Sequence, residues 1–277
     1  MVITLSLIAA AAWGAGDFLG GFASRQGRVF AASAASQTIG IFVALIASAV
    51  IGGSPTSNDF AWGAVAGVSG GLAILALYRG MATSPIGIVV PVAAIGTGGF
   101  PALFSLLRGD EPGVLVGFGL LVAAGALWLL SRPDGVSTSG TIVSGLAYGL
   151  MAGAGFGGLL IALSRVGDDA GIWPLITTRL SGAIVIALIA LITGRHLIPV
   201  RTALPAIAGA ATLAIVGNAA FLFAATDGTV AIAAAIGALF PAFSVLLARI
   251  FLKEPLTPAR LAGLALAAVA IALIALA

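Results

Sequence analysis

The sequence predicts an all-α membrane protein, with ten transmembrane helices arranged as two inverted five-helix repeats around a central cavity. Three observations carry that prediction. Hydrophobic residues make up 61 % of the 277 residues and charged residues only 8 %, against roughly 25 % charged in a soluble domain, and mean hydropathy is +1.22. The apolar residues fall into runs of roughly 17–25, the length of a spanning helix. Two stretches of the chain also resemble each other at long separation, the signature of an internal repeat.

The runs fall at 3–23, 31–51, 60–79, 85–107, 113–131, 141–163, 172–193, 204–225, 229–251 and 259–276. Gly, Pro and charged residues cluster between them, and the short connections leave no room for a soluble domain. The first run begins almost at once, without a charged leader or a clear small-residue cleavage site, and reads as a span rather than a signal. Glycine, at 39 residues, would weaken soluble helices but favours close helix packing in lipid.

FPALFSLL at 100–107 returns as FPAFSVLLA at 240–248, and Glu111-Pro112 returns as Glu254-Pro255. Ser24-Arg25 matches Ser164-Arg165, and Ala82-Thr83-Ser84 matches Ala225-Thr226-Asp227. The repeat divides the chain into residues 1–135 and 136–277. Five helices per half, an odd number, send the second half into the membrane from the opposite side, the arrangement of many secondary transporters.

Several function classes are excluded. The 12 Lys and Arg are scattered singly and form no nucleic-acid patch. There is no Cys and only one His, His196, so neither a metal site nor another cofactor is expected. Gly153–Gly158 (GAGFGG) lies inside an apolar run without the strand and Lys of a phosphate loop, and reads as helix packing. The spans hold no paired carboxylates, no Ser-His arrangement and no metal-ligand cluster, which speaks against an intramembrane enzyme.

The segment at 237–276, GALFPAFSVLLARIFLKEPLTPARLAGLALAAVAIALIAL, resembles the closing helix pair of the EamA-like family in the drug/metabolite transporter superfamily. Trp13-Gly14 and ALYRGMATSPIGIVVPV at 76–92 are similar to the same family. The resemblance implies a ten-helix exporter of amino acids, other metabolites or drugs in the cell inner membrane, often coupled to protons. It also implies a cavity lined by spans 1, 3, 4, 6, 8 and 9. It draws both termini in the cytoplasm, whereas the charge bias puts them outside. The connections after spans 1, 3, 5, 7 and 9 hold Arg25, Arg28, Arg79, Arg132, Arg195, Arg201, Lys253 and Arg260, against Arg108 and Arg165 on the other side. A passive facilitator or channel is the alternative to a coupled exporter, and the sequence leaves monomer and homodimer open.

Candidate site residues are the polar and aromatic groups inside the spans. Asp17 shares a helical face with Trp13, and a carboxylate in the bilayer must be paired, protonated or wetted, which suits proton coupling. Arg179, and Arg79 beside Tyr78, are candidates for a substrate carboxylate or for pairing with Asp17; Arg79 also suits a membrane-interface anchor. Asn218 and Gln37 are amides that either bond helices together or touch a ligand. Tyr148 and Trp13 are expected at corresponding places in the two halves, as an aromatic wall or as packing. Pro91, Pro101 and Pro241 are expected to break the backbone ladder inside spans 4 and 9, as hinges or static kinks. Glu111 and Glu254 are expected only to start helices.

Overall fold

The computed structural model describes residues 1–24, 29–83, 86–107, 113–130, 142–227, 230–251 and 257–275. Among them it forms eleven α-helices and no strand: α1 (Val2–Ser24), α2 (Val29–Ile51), α3 (Ser57–Thr83), α4 (Ile86–Leu107), α5 (Val114–Leu130), α6 (Ile142–Leu163), α7 (Pro174–Ile192), α8 (Leu204–Asp227), α9 (Val230–Gly237), α10 (Phe240–Phe251) and α11 (Pro258–Ala275). Short 3₁₀ turns at Asp168–Ala170 and Arg201–Ala203 precede α7 and α8. Six of the helical segments are long and apolar enough to cross a membrane, and shorter apolar helices accompany them. Helices answer the demand of lipid because each satisfies its own backbone.

Ten segments were expected, and the difference lies in the ninth, which is divided into α9 and α10. Pro241 has no N–H, and its ring blocks the carbonyl four residues before it. Leu239 N–H donates to Ile236 O at 3.1 Å and Ala242 N–H donates to Leu239 O at 3.0 Å, so the chain turns tightly. Pro241 thus sits in the first turn of a new helix, where proline is tolerated. By contrast α4 is one continuous helix through Pro91 and Pro101, so neither proline divides its span as the ninth is divided. Close glycine contacts join α4 to α6: a Cβ on Gly96 would lie 2.7 Å from Gly153 Cα.

Local signals fix the helix ends. Thr56 and Asp59 form a reciprocal capping box at the start of α3: Thr56 N–H donates to Asp59 Oδ2 at 2.8 Å, and Asp59 N–H donates to Thr56 Oγ1 at 3.3 Å. Helices α2 and α7 both run out into a glycine of positive φ, Gly52 at 82° and Gly194 at 65°, a conformation that suits glycine at a helix end.

The strongest pairings all join a helix before residue 131 to one after residue 141: α4 with α6, α1 with α8, α3 with α6, α5 with α11, α3 with α7 and α2 with α7. Let α1, α2, α3, α4 and α5 exchange places with α6, α7, α8, α9–α10 and α11. Then α1–α8 maps onto α6–α3, α4–α6 onto α9–α10 with α1, and α3–α7 onto α8–α2. The pairs α2–α7 and α5–α11 map onto themselves, and every one of these pairings is made. Gln37 on α2 and Arg179 on α7 meet at such a self-mapping crossing, 142 residues apart.

Candidate functional site

A cavity of about 100 Å³ lies among α1, α2, α3, α7 and α8. Helix α1 contributes Trp13, Asp17 and small residues as far as Ala23; α2 contributes Ala32, Ser33, Ser36 and Gln37. Ile74, Arg179 and a face of α8 (Ile207, Ala210, Ala214) complete it. Of the spans expected to line it, 4, 6 and 9 contribute no described residue, and α2 and α7 take their place.

Two of the predicted residues meet directly at this wall. Trp13 Nε1–H donates to Asn218 Oδ1 at 2.9 Å, which ties α1 to α8 and turns the indole toward Gly217, whose Cβ it would crowd. The same ring also reaches the break between α9 and α10, where a Cβ on Gly237 would lie 2.8 Å from its Cζ3, and it packs 6.1 Å from the Phe221 ring. Trp13 is therefore both cavity wall and packing hub. Asp17, one turn further on, is exposed within the cavity.

Arg179 is buried, and its Nη1 donates to Gln37 Oε1 at 3.0 Å. Gly40 and Gly182 make room for this pair. A Cβ on Gly40 would lie 3.0 Å from Arg179 Cδ, and a Cβ on Gly182 would collide with Gln37 Nε2. No ion pair joins Arg179 to Asp17, so the expected pairing gives way to an amide partner. The reason is placement: Gln37 occupies on α2 the position that Arg179 occupies on α7, and the crossing of these helices brings them together first.

The other predicted residues lie elsewhere. Arg79 is exposed near the end of α3 and lines no part of the cavity. Tyr148 is half-buried on α6 against Gly80, whose Cβ would lie 2.7 Å from the tyrosine Cβ, so it packs α6 on α3 and does not mirror Trp13. Pro101 is buried beside Gly157. The side chains of Tyr78 and Pro91 fall outside the described residues. Sequence reasoning missed Ser33 and Ser36. Their spacing from Gln37, four residues and one, was the available signal, since Ser33 and Gln37 share a helical face.

One side of the site is sealed. Gly63, Gly67 and Gly71 form a stripe on α3 against α7, and a Cβ on Gly67 would collide with Thr178 O and Ser181 Oγ. Three α7 hydroxyls donate to α3 carbonyls: Thr177 to Phe60 O at 2.9 Å, Thr178 to Gly63 O at 2.9 Å and Ser181 to Ala64 O at 2.8 Å. Beyond the seam, Gly167 N–H donates to Asp59 Oδ1 at 2.7 Å and Ser54 N–H to Asp169 O at 2.7 Å. The Arg165 guanidinium lies over Phe104 at 5.0 Å and Trp62 at 5.9 Å.

A multi-pass helical bundle with a mostly apolar cavity reaching helices of both halves defines a membrane-embedded protein rather than a soluble binding module. The comparison with known families agrees. Residues 143–276 carry an EamA-like transporter family domain, and that family is one of membrane transporters of the drug/metabolite superfamily. A solved crystal structure is similar over 99 % of this chain and 96 % of its own, with 18 % identity and a TM-score of 0.78, a likeness of fold. No curated protein matches the chain.

Proposed function

We propose that this protein is a secondary active exporter of small metabolites in the cell inner membrane, working by alternating access. Its halves, residues 1–135 and 136–277, are read as inverted repeats that rock about the α2–α7 crossing. The exchange of pairings between halves supports this reading, as does the odd number of spans in each half. Amino acids and related compounds are the favoured substrates, with Arg179 facing a carboxylate and Asp17 serving a substrate cation or a proton.

The observation that carries the proposal is one cavity bearing a cation and an acid that do not neutralise each other. Unpaired charges inside a membrane mark transport pathways and proton relays. The cavity is bounded on α2 and α8, while the corresponding α3–α7 seam is shut. Such an asymmetry supports a reading in which the two seams open in turn.

Flux of radiolabelled amino acids measured in proteoliposomes, with and without an imposed pH gradient, tests it. Accumulation driven by the proton gradient is expected, and Asp17→Asn is expected to remove the pH dependence. Downhill equilibration alone would make the protein a passive facilitator, and an unchanged pH response in Asp17→Asn would take this carboxylate out of the coupling.

A further inference from the structure

Two residues that line the cavity each carry a polar side-chain atom without a partner. Ser33 is 5 % exposed and Arg179 9 %, and Ser33 Oγ and Arg179 Nε are buried without a hydrogen bond. Buried donors in this condition are uncommon, because leaving one unmatched costs its full desolvation. Both residues border the same space. Ser33 stands one helical turn from Gln37 on α2, and Gln37 engages one end of the guanidinium through Nη1.

The guanidinium is a planar fork of donors that matches a carboxylate through two parallel hydrogen bonds. With Nη1 turned to Gln37, the edge carrying Nε remains. We infer that Ser33 Oγ and the Nε edge of Arg179 form an oxyanion subsite that takes the carboxylate of the transported molecule, with Gln37 as the positioning residue that fixes the guanidinium. The inference rests on the transport reading and gives it a chemical class: a solute with one carboxylate, short enough for a cavity of about 100 Å³. Asp17 in the same cavity disfavours a second negative group on the solute.

Helix α2 supplies an internal control. Ser48 is equally buried and its Oγ equally unpartnered, yet it lines no part of the cavity. A subsite predicts different behaviour for the two serines, whereas a general tolerance of unmatched hydroxyls predicts the same.

The test follows thermal unfolding of the purified full chain while sodium propionate, L-alanine, L-alaninamide or sodium chloride is added at matched ionic strength. A ligand that binds the folded form raises the midpoint. Propionate and L-alanine are expected to raise it, and L-alaninamide, which lacks the carboxylate, and chloride are not. Ser33→Ala removes an unmatched hydroxyl, so the unliganded protein is expected to be at least as stable, yet to bind both carboxylates about tenfold more weakly. Arg179→Lys keeps the charge, loses the fork and is expected to weaken binding at least as much; Ser48→Ala is expected to change nothing.

L-alaninamide or chloride stabilising as well as L-alanine, no shift with either carboxylate, or wild-type binding in Ser33→Ala would each overturn the subsite. Proteoliposome flux separates this failure from that of the transport reading. Gradient-driven movement of amino acids that survives in Ser33→Ala and Arg179→Lys leaves transport standing and removes the subsite. Carboxylate binding with the predicted variant pattern but no flux keeps the subsite and removes transport.

Discussion

The α3–α7 seam and the α2–α8 wall occupy corresponding places in the two halves, yet one is closed and the other borders the cavity. Gly63, Gly67 and Gly71 on α3 correspond to Ala206, Ala210 and Ala214 on α8, and Thr178 and Ser181 on α7 correspond to Ser36 and Ile39 on α2. Where the first pair of helices meets backbone to backbone, the second carries a methyl group on every turn. Two of those alanines, Ala210 and Ala214, line the cavity, as does Ser36. A modest difference in side chains therefore accompanies the difference between the seams: absent Cβ atoms and hydroxyls aimed at carbonyls favour the close packing of α3–α7.

Locking the closed seam gives the largest expected effect. The chain has no cysteine of its own, so Ala64→Cys with Ser181→Cys introduces a single pair across a contact that is now 2.8 Å from Ser181 Oγ to Ala64 O. Oxidation is expected to form the disulfide readily and abolish flux, with a reductant restoring it. The corresponding pair, Ile207→Cys with Ile39→Cys, is expected to cross-link less completely, because α2 and α8 meet there through packed side chains rather than through a backbone contact. Full flux with the first disulfide formed would show that α3 and α7 need not part, and the two seams would lose their kinship as alternating gates.

The glycine stripe itself should separate the two regions next. Gly67→Ala places a methyl group on Thr178 O and Ser181 Oγ and is expected to destabilise the folded protein by about 1–3 kcal/mol, the usual range for overpacking. The reverse change at the corresponding position, Ala210→Gly, crowds nothing and is expected to cost about 1 kcal/mol or less, the propensity difference of a helical glycine. Both are read from unfolding midpoints of the purified protein in one detergent. Equal losses would mean that close approach plays no special part at α3–α7.

Much of this comparison was legible in the sequence, and the reasons for the remainder are physical. Run lengths located the helices because lipid demands a continuous apolar span, and the ends at Gly52 and Gly194 follow local chemistry. The divided ninth span was not legible: Pro101 and Pro241 sit in the same FPA motif, and only the partner helix decides the outcome. Helix α4 lies on the glycine-rich face of α6, whereas α9 and α10 meet the bulk of Trp13 at Gly237. Within the site, Trp13, Asp17, Arg179 and Asn218 were legible because a polar or large aromatic group inside a span stands out. Ser33 and Ser36 did not, since serine is common among small residues in packed helices. The Gln37–Arg179 bond depended on which helices cross, and that is set by the relation between the halves rather than by any local pattern.

The smallest expected effect concerns a single hydroxyl, and it separates lacing from mere proximity. Thr178 Oγ1 donates to Gly63 O at 2.9 Å but also lies 3.1 Å from Pro174 O on its own helix, so removing it takes away a bond for which the unfolded or parted state has a local substitute. Cross-helix hydrogen bonds of this kind are worth on average about 0.6 kcal/mol in membranes. Thr178→Val, which keeps the shape, is expected to lose about that much stability. Ser36→Ala at the corresponding place removes a hydroxyl that faces the cavity and is expected to leave the unfolding midpoint unchanged while altering the substrate concentration at half-maximal flux. If Thr178→Val were as neutral as Ser36→Ala, the α3–α7 seam would be held by glycine packing alone and the hydroxyls would have no share in keeping it shut.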